Sequence, residues 1–313
     1  MDKTFRMTRA GTQAGPSRPV MLAIAGDSAA GKTTLAKGLV AALGADRCTL
    51  VCADDYHRFD REERKTLPFT ALHPDCNHVP IMEQHLQLLA TGQPILKPVY
   101  DHGTGLLARP ELVQPRDVVI IEGLLPLHTS PSRACFDVKV YLAPPEEIRR
   151  TWKIARDTRK RGYTPAQVAS ELDRREAESA EFIRPQRSHA DVVVRFGPIA
   201  VRNDPPDTPL SAELLLRPTI RHPDLASVLV PGMRKAIHLK LERDEDGRPV
   251  DTLHVHGYMS AEEGHVLRKM IWTTLGQGGE VPEGLGGIGR RARSEPLAIT
   301  QLLLLHHLLD LAA

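Results

Sequence analysis

An eight-residue loop near the start of the chain carries the clearest chemical signal. Residues 26–33 have the sequence Gly-Asp-Ser-Ala-Ala-Gly-Lys-Thr, which matches G-x-x-x-x-G-K-[ST] at every fixed position. In this motif backbone N–H groups surround phosphates, the lysine reaches the β- and γ-phosphates, and the hydroxyl binds Mg²⁺. A buried strand at residues 20–25 and a helix at residues 34–43 supply the expected context. The alternative is a glycine-rich turn that binds nothing. The predicted nucleotide-binding residues are Gly26, Asp27, Ser28, Ala29, Ala30, Gly31, Lys32, Thr33 and Thr34.

Acidic side chains follow two further predicted strands. Residues 48–53 run into Asp54 and Asp55, and the β-branched run at 118–121 is followed by Glu122. In doubly wound sheets, ligand-binding groups lie just beyond the carboxyl ends of strands, so these acids are expected to face the phosphates. One acid of the pair could accept the proton of an attacking hydroxyl, and Glu122 could bind Mg²⁺ together with Thr33. The alternatives are acids that only cap turns.

Basic side chains concentrate in a predicted helix that starts after Pro144 and Pro145. Its phosphate-binding face consists of Arg149, Lys153, Arg156, Asp157 and Lys160, which lie together at 3.6 residues per turn. The cations would bind phosphate and spread transition-state charge, whereas the single acid would bind a hydroxyl or water. The alternative is a solvated helix end, where cations also suit the helix dipole.

Other pocket candidates lie outside that helix. Arg61 belongs to a charge run at residues 58–65 that directly follows the acid pair, although such runs are most often solvated. Residues 95–105 are predicted to form an extended segment that runs into a loop, and Pro98 argues against a central strand there. The pocket candidates in this segment are Tyr100, Asp101 and His102. A lone histidine there is as often structural as functional.

Composition limits the class of protein. The 313 residues are 41% apolar and 26% charged, as in globular proteins, and the net charge of +2 does not indicate nucleic acid. The 4 cysteines lack C-x-x-C spacing, which fits a reducing cytoplasm and argues against a disulfide framework or a zinc site. No apolar run reaches the roughly 18 residues of a membrane span. We therefore expect a cytoplasmic protein with a small-molecule substrate and neither a nucleic-acid nor a membrane partner.

The order of predicted elements indicates an α/β fold. Strands alternate with helices from residue 20 to 197, which predicts a doubly wound, largely parallel sheet after a disordered lead-in at residues 1–19. A proline-rich joint at 198–210 begins a small β-rich extension that reaches residue 313. This extension is expected to contain strands at 214–220, 236–242 and 252–259, a capped helix at 260–275, a mobile segment at 276–293 and a short amphipathic helix at 297–311.

Taken together, these segments resemble the phosphoribulokinase family, in its plant and cyanobacterial branch within the wider uridine kinase and pantothenate kinase group. The resemblance rests on the phosphate loop and on residues 54–57 with Arg61, 97–107, 120–124, 152–157, 185–186 and 189–193. It is close over residues 20–197 and looser beyond. It implies a homodimeric kinase that uses ATP and Mg²⁺ to convert ribulose 5-phosphate to ribulose 1,5-bisphosphate, the Rubisco substrate of the Calvin cycle.

The resemblance also implies roles for individual residues. Asp54 would be the base that takes the proton from the sugar O1, and Lys32 and Asp157 would be the other catalytic residues. The residues implied to bind substrate are His57, Arg61, Lys153, Arg156 and Arg161, with Tyr100 and His102 from the pocket segment and, more weakly, Arg174 and Arg175.

The chain departs from the family pattern at its cysteines. Plant-type members are switched by a disulfide between a phosphate-loop cysteine and a cysteine just before the acid pair. Here Cys52 occupies the second position but Ala30 occupies the first, and no cysteine follows Cys135. We therefore expect no thioredoxin switch of that kind.

Other functions stay open at this stage. A related kinase could act on another sugar phosphate or on a nucleoside such as uridine, although an uncharged nucleoside needs no cationic helix face. A non-catalytic nucleotide switch would not need Asp54 as a hydroxyl base. A nucleic-acid-stimulated ATPase is disfavoured by the near-neutral charge and by an aromatic content of 4%.

Overall fold

The structure, a computed structural model, describes residues 18–199, 208–230, 232, 235–276, 278–289 and 292–312. The strands are β1 Val20–Gly26, β2 Cys48–Cys52, β3 Ile95–Asp101, β4 Leu106–Val113, β5 Val118–Gly123, β6 Val138–Leu142, β7 Val192–Gly197, β8 Ser211–Leu216, β9 Ile237–Arg243, β10 Pro249–Val255, β11 Gly287–Ile288 and β12 Ala292–Arg293. The helices are α1 Lys32–Leu43, α2 Val79–Ala90, α3 Ser130–Ala134, α4 Glu146–Arg161, α5 Pro165–Glu178, α6 Ala261–Thr274 and α7 Glu295–Ala312.

An eight-stranded sheet organises the described residues, in the order β2-β5-β1-β6-β7-β8-β10-β9. The first five strands are parallel, and the last three add to them antiparallel. The strands β1 and β5 are buried along their whole length, as expected for central strands covered by helices on both faces. The predicted doubly wound α/β fold is therefore confirmed.

The register of the parallel strands brings the predicted site residues to one edge of the sheet. Glu122 lies opposite Ile24 of β1 and Cys52 of β2. The phosphate loop follows β1, and Asp54 and Asp55 lie in a short 3₁₀ turn directly after β2. Three neighbouring carboxyl ends thus place the loop and all three acids side by side.

Helix α7 is the centre of one core. The sequence predicted a short amphipathic helix at 297–311 that packs on the body of the protein or on a partner subunit; α7 does pack on the body, but it is 18 residues long and is buried on almost every side against α1, α6 and the sheet. Gln301 donates to the Leu35 carbonyl of α1 at 3.2 Å. A Cβ atom at Gly38 would lie 1.9 Å from the Gln301 amide nitrogen, so the glycine permits this close approach. No helix among the described residues is long and apolar enough to cross a membrane.

The second face of the sheet carries another core. Side chains of α2 and of the segments that follow β5 and α5 pack there against β1, β2 and β5. The strands β3 and β4 form a separate two-stranded ribbon, so the expectation that residues 95–101 are not a central strand is correct. Strand β4 was not predicted, because its side chains are exposed on both faces and show no alternation.

The elements of the predicted extension are present with shifted boundaries. The strands expected at 214–220 and 252–259 lie earlier, at Ser211–Leu216 and Pro249–Val255, because residues 211–213 and 249–251 already pair with the neighbouring strands. The hairpin between β9 and β10 and the Ser260–Glu263 capping box are confirmed.

Three other expectations from the sequence meet the structure only in part. The segment at 276–293 is not free of structure, since it contains β11 and a buried Leu285, and Gly286 donates to Gln301 at 2.7 Å. The lead-in at residues 1–17 and the part of the proline-rich joint at 200–207 lie outside the described residues.

Candidate active site

The phosphate loop has the backbone shape that anion binding requires. Gly26 and Gly31 have φ angles of 145° and 99°, and Ala29 also has a positive φ of 66°. A Cβ atom at Gly26 would lie 2.7 Å from the Leu142 carbonyl oxygen, so glycine is required there. No side chain caps the N-terminus of α1, which leaves its first N–H groups available to phosphate oxygens. The Lys32 ammonium group donates to the carbonyl oxygens of Gly26 and Asp27, at 2.9 Å each.

Thr33 and Glu122 form a pair of oxygen ligands beside this loop. The Thr33 hydroxyl donates to Glu122 Oε1 at 2.7 Å. Burial raises the pKa of Glu122, and Lys32 opposes this shift. A hydroxyl and a partly desolvated carboxylate next to a phosphate site are suited to Mg²⁺, which prefers oxygen ligands and keeps several waters. The residues present therefore fit the metal that the motif implies.

The two aspartates after β2 differ in their partners. Asp55 forms a short ion pair with Lys97, which also lies 2.9 Å from Glu111, and it accepts the Tyr100 N–H at 3.3 Å. Asp54 accepts the Leu124 N–H at 2.9 Å through Oδ1. No ion pair holds Asp54 within the described ranges, so this carboxylate is oriented by one backbone bond but not neutralised.

A cluster of rings lines the space next to Asp54. His57 is buried and its Nδ1 lies 2.7 Å from the Asn77 side-chain oxygen, and burial lowers its pKa to about 4. The rings of His57 and Tyr100 meet edge to face at 4.8 Å, and those of Tyr100 and His102 at 4.9 Å. Burial also lowers the pKa of His102, which is neutral near pH 7 although it is close to the Asp54 carboxylate.

Three cations of α4 surround one carboxylate, and two of them, Arg156 and Arg161, lie close enough to His102 to contribute to its lowered pKa. Asp157 lies 2.7 Å from Lys153 and from Arg156, and 3.5 Å from Arg161. Burial alone would raise the pKa of Asp157, but hydrogen bonds from Arg156 and Lys153 lower it to about 2. The carboxylate therefore stays ionised and fixes the cations in place. Lys160, predicted on the same face, is exposed, because the helix turns its side chain to solvent.

Other predicted arginines approach this cluster to different degrees. Arg61 donates to the His102 carbonyl oxygen at 2.8 Å, and its charge helps to lower the pKa of Arg161, for which burial is the main cause. Arg175 is close enough to lower the pKa of Lys153, again after burial. Arg174 has a half-exposed side chain that pairs with Glu171 at 3.2 Å. The structure thus brings together every predicted substrate residue except Arg174.

Two further side chains support the phosphate loop: Arg149, which was predicted on the basic face of α4, and Ser179, which was not predicted. Arg149 lies 3.3 Å from Asp27 and donates to the Ser28 carbonyl at 3.2 Å, so α4 supports the phosphate loop directly. The Ser179 hydroxyl donates to Asp27 from a π-helical turn after α5. The periodicity of α4 gave a signal for Arg149, but nothing in the sequence pointed to Ser179.

A phosphate loop at the centre of a parallel sheet, with acids at the adjacent strand ends, defines a P-loop nucleotide-binding protein. Residues 21–201 match the model of the Phosphoribulokinase / Uridine kinase family, and the chain belongs to this family. It is 41% identical over 187 residues to the phosphoribulokinase of Synechocystis sp., which covers 60% of this chain and 56% of that protein. It is 33% identical to the chloroplastic phosphoribulokinase of Spinacia oleracea, over 57% of this chain and 49% of the relative.

Two further comparisons frame the family assignment. The uridine kinase of Brevibacillus brevis is 33% identical over 57% of this chain and 86% of the relative. The solved phosphoribulokinase from Rhodobacter spheroides has a TM-score of 0.57 at 16% identity, over 80% of this chain and 94% of that one, which establishes a shared fold. The chain spans about half the length of the curated phosphoribulokinases it matches, between 49% and 56% for the two named above.

Proposed function

We propose that this protein transfers the γ-phosphoryl group of ATP to O1 of ribulose 5-phosphate, giving ribulose 1,5-bisphosphate and ADP. One observation carries the proposal. The carboxylate of Asp54, which has no ion pair among the described residues, lies close to Glu122 of the Thr33–Glu122 oxygen pair and close to His102, and His102 in turn lies close to Arg156 and Arg161 of the cationic cluster. A base placed between a nucleotide site and an anion site is the arrangement that phosphorylation of a phosphorylated alcohol needs.

In this proposal Asp54 acts as the general base. Its carboxylate accepts the proton of the sugar O1 hydroxyl while O1 forms a bond to the γ-phosphorus and the bond to the β-γ bridging oxygen breaks. The Leu124 N–H holds one oxygen of Asp54, so the other can point towards the acceptor. Lys32 and the N–H groups of the loop bind the phosphates, and Mg²⁺, when bound by Thr33 and Glu122, would neutralise phosphate charge.

The cationic cluster argues for a phosphorylated acceptor. Lys153, Arg156 and Arg161 share one carboxylate, so positive charge is in excess at this end of the site. Arg61, which has no ion pair among the described residues, adds to this excess, whereas Arg175 is paired with Glu171 at 2.6 Å. An uncharged nucleoside such as uridine would leave these cations without a counter-ion, whereas a sugar 5-phosphate supplies one. His57 and His102 are neutral near pH 7 and would act as hydrogen-bonding groups for sugar hydroxyls.

The experiment measures ADP release from ATP and Mg²⁺ with ribulose 5-phosphate, uridine, another pentose phosphate or no acceptor. The proposal expects turnover with ribulose 5-phosphate that falls by about 10²–10⁴-fold in Asp54→Asn, while ATP affinity is retained. Asp55→Asn is not an adequate control, because Asp55 pairs with Lys97; Asp60→Asn in the exposed turn serves instead. Turnover only with uridine, or equal turnover in Asp54→Asn, would contradict the assignment.

We further propose that residues 20–197 form the kinase core, that residues 198–313 form an extension of it, and that the protein is a homodimer. The antiparallel strands β8, β10 and β9 support the division, since they extend the β7 edge of the sheet. The terminal strand β9 exposes Leu239 and Leu241, the latter with 75% of its surface, which supports a partner along this edge. Sedimentation equilibrium would measure the subunit number, and a monomer at all concentrations would refute the dimer.

A further inference from the structure

Three side chains beside the proposed base converge as metal ligands do. They are Cys52 at the end of β2, Asp55 in the turn after it and His102 in the loop after β3. Each residue offers one donor atom, and these three atoms lie within 4.8 Å of one another. We infer that these residues form a binding site for a zinc-class divalent ion, and that an ion bound there inhibits the kinase. The site is distinct from the Thr33–Glu122 pair, which offers oxygen atoms only.

The types of donor select the class of ion. A thiolate, an imidazole and a carboxylate together are typical ligands of Zn²⁺, whereas Mg²⁺ takes oxygen ligands almost exclusively. In tetrahedral geometry, zinc bonds of about 2.0–2.3 Å place two donors about 3.3–3.8 Å apart. The donors here lie within 4.8 Å of one another, so they need to approach by up to about 1.5 Å. Three protein ligands leave a fourth position for water.

The cysteine spacing argued against a zinc site, and positions 52, 55 and 102 have no metal-binding spacing in the sequence. The ribbon of β3 and β4 creates it, because β3 packs against the turn at residues 53–56. Two contacts keep the ligands in place. Lys97 pairs with Asp55, and Arg61 donates to the His102 carbonyl oxygen at 2.8 Å. A carboxylate oxygen has more than one lone pair, so Asp55 can bind an ion and keep Lys97 as a partner.

Carboxylates surround the Cys52 donor, whereas the nearby cations are Lys97, which is paired with Asp55, and Arg156 and Arg161, which are close to His102. Burial raises the pKa of the Cys52 thiol well above its ordinary value, and the carboxylates of Asp54, Glu122 and Asp55 add to this shift. The thiol is therefore protonated and inert towards alkylation near pH 7 without metal. Binding of the ion would displace the thiol proton to solvent, while His102 binds in the neutral form that burial already favours.

An ion at this site would interfere with catalysis in two ways. Its charge next to Asp54 would lower the basicity of the proposed base, and coordination would withdraw His102 from the sugar pocket. This consequence rests on the proposed kinase function, whereas binding of the ion does not. A test that measures both separately can therefore distinguish failure of the metal site from failure of the kinase assignment.

The binding test uses Co²⁺ as a spectroscopic substitute for Zn²⁺ on the full chain, kept reduced with a phosphine. We expect one Co²⁺ per chain and a thiolate-to-cobalt charge-transfer band that excess Mg²⁺ does not remove. Cys52→Ser should lose the band. Cys135→Ser is the matched control, because Cys135 is also a half-buried free thiol, and it should keep the band. Absence of the band in the unmodified protein, or its persistence in Cys52→Ser, would overturn the site.

The activity test titrates buffered Zn²⁺ at saturating Mg²⁺ and ATP. The concentration that half-inhibits turnover should rise at least about tenfold in Cys52→Ser and stay unchanged in Cys135→Ser. Equal inhibition of all three proteins would show that Zn²⁺ acts elsewhere and would refute the inhibitory role. If Cys52→Ser does not fold, as judged by circular dichroism, His102→Gln replaces it in the cobalt titration, and an unchanged band there would refute the site. A cobalt band in a protein that phosphorylates no sugar phosphate would keep the metal site and reject only the kinase function.

Discussion

Lys153 and Asp157 form a buried ion pair, with Nζ and Oδ2 separated by 2.7 Å and 3% of each side chain exposed. They are one helical turn apart on α4, and Arg156 and Arg161 bind the other oxygen of the same carboxylate. The acid therefore has a structural task, to hold like charges together, besides any contact with substrate.

Asp157→Asn should destabilise the protein as well as weaken substrate binding. The substitution leaves Lys153 buried without a counter-charge, and Arg156 and Arg161 are too exposed, at 31% and 26%, to add much. We expect the free energy of unfolding to fall by about 3 kcal/mol, the lower end for loss of a buried partner. Urea denaturation measures this decrease in the free energy of unfolding.

The control is Glu147→Gln, which changes an exposed acid in the first turn of the same helix and should lower the free energy of unfolding by less than about 1 kcal/mol. Equal losses in the two variants would contradict this account.

Arg174 and Arg175 offer a matched test of which side chains reach the substrate. Both arginines pair with Glu171, Arg174 at 3.2 Å and Arg175 at 2.6 Å, but the Arg175 side chain is only 20% exposed and also approaches Lys153 and Arg161, whereas that of Arg174 is 51% exposed. Arg175→Gln should raise the KM for ribulose 5-phosphate by about tenfold, the loss of one charge-assisted hydrogen bond to phosphate. Arg174→Gln should change it by less than about twofold, as expected for an exposed pair. Steady-state kinetics with each variant measures the difference, and equal effects would place both arginines at the substrate.

The sequence predicts the parallel core well because its signals are local. The phosphate loop, the strand that ends at Glu122 and the basic face of α4 each need only a short window of residues, and the structure brings them to one site. The different environments of Asp54 and Asp55 could not be predicted, since they depend on Lys97 from β3, 42 positions away in sequence from Asp55. The packing of helix α7 on the body was predicted, but the extent of its burial was not, for a related reason. A run of leucines shows that a helix is apolar, but only its packing against α1 shows that it is buried on nearly all sides.

We predict that thiol oxidation does not switch this protein. Cys48, Cys52, Cys76 and Cys135 are all free, and the loop position that would pair with Cys52 is Ala30. Burial raises the pKa of all four thiols, which lowers their reactivity towards disulfides. We therefore expect the activity after incubation with oxidised thioredoxin to lie within about twofold of the activity after incubation with reduced thioredoxin, because buried thiols react little. A large loss that dithiothreitol reverses would contradict the prediction and would point to an intermolecular disulfide.

Buried histidines should make the fold sensitive to acid. His307 on α7 is buried and its ring contacts that of His222 at 5.2 Å; burial, with smaller effects of His222 and His306, lowers its pKa to about 3. Between the ordinary pKa of 6.5 and this value the unfolded chain binds the proton and the folded chain does not, so stability falls as the pH falls below about 6.5. One such residue lowers the free energy of unfolding by up to about 3 kcal/mol by pH 4.

Urea denaturation from about pH 7 to pH 4.5 should show a shallower pH dependence of the free energy of unfolding for His307→Gln than for the unmodified protein. His265→Gln, at an exposed position of α6, should leave the slope unchanged. The same slope in all three proteins would show that His307 does not carry the acid sensitivity.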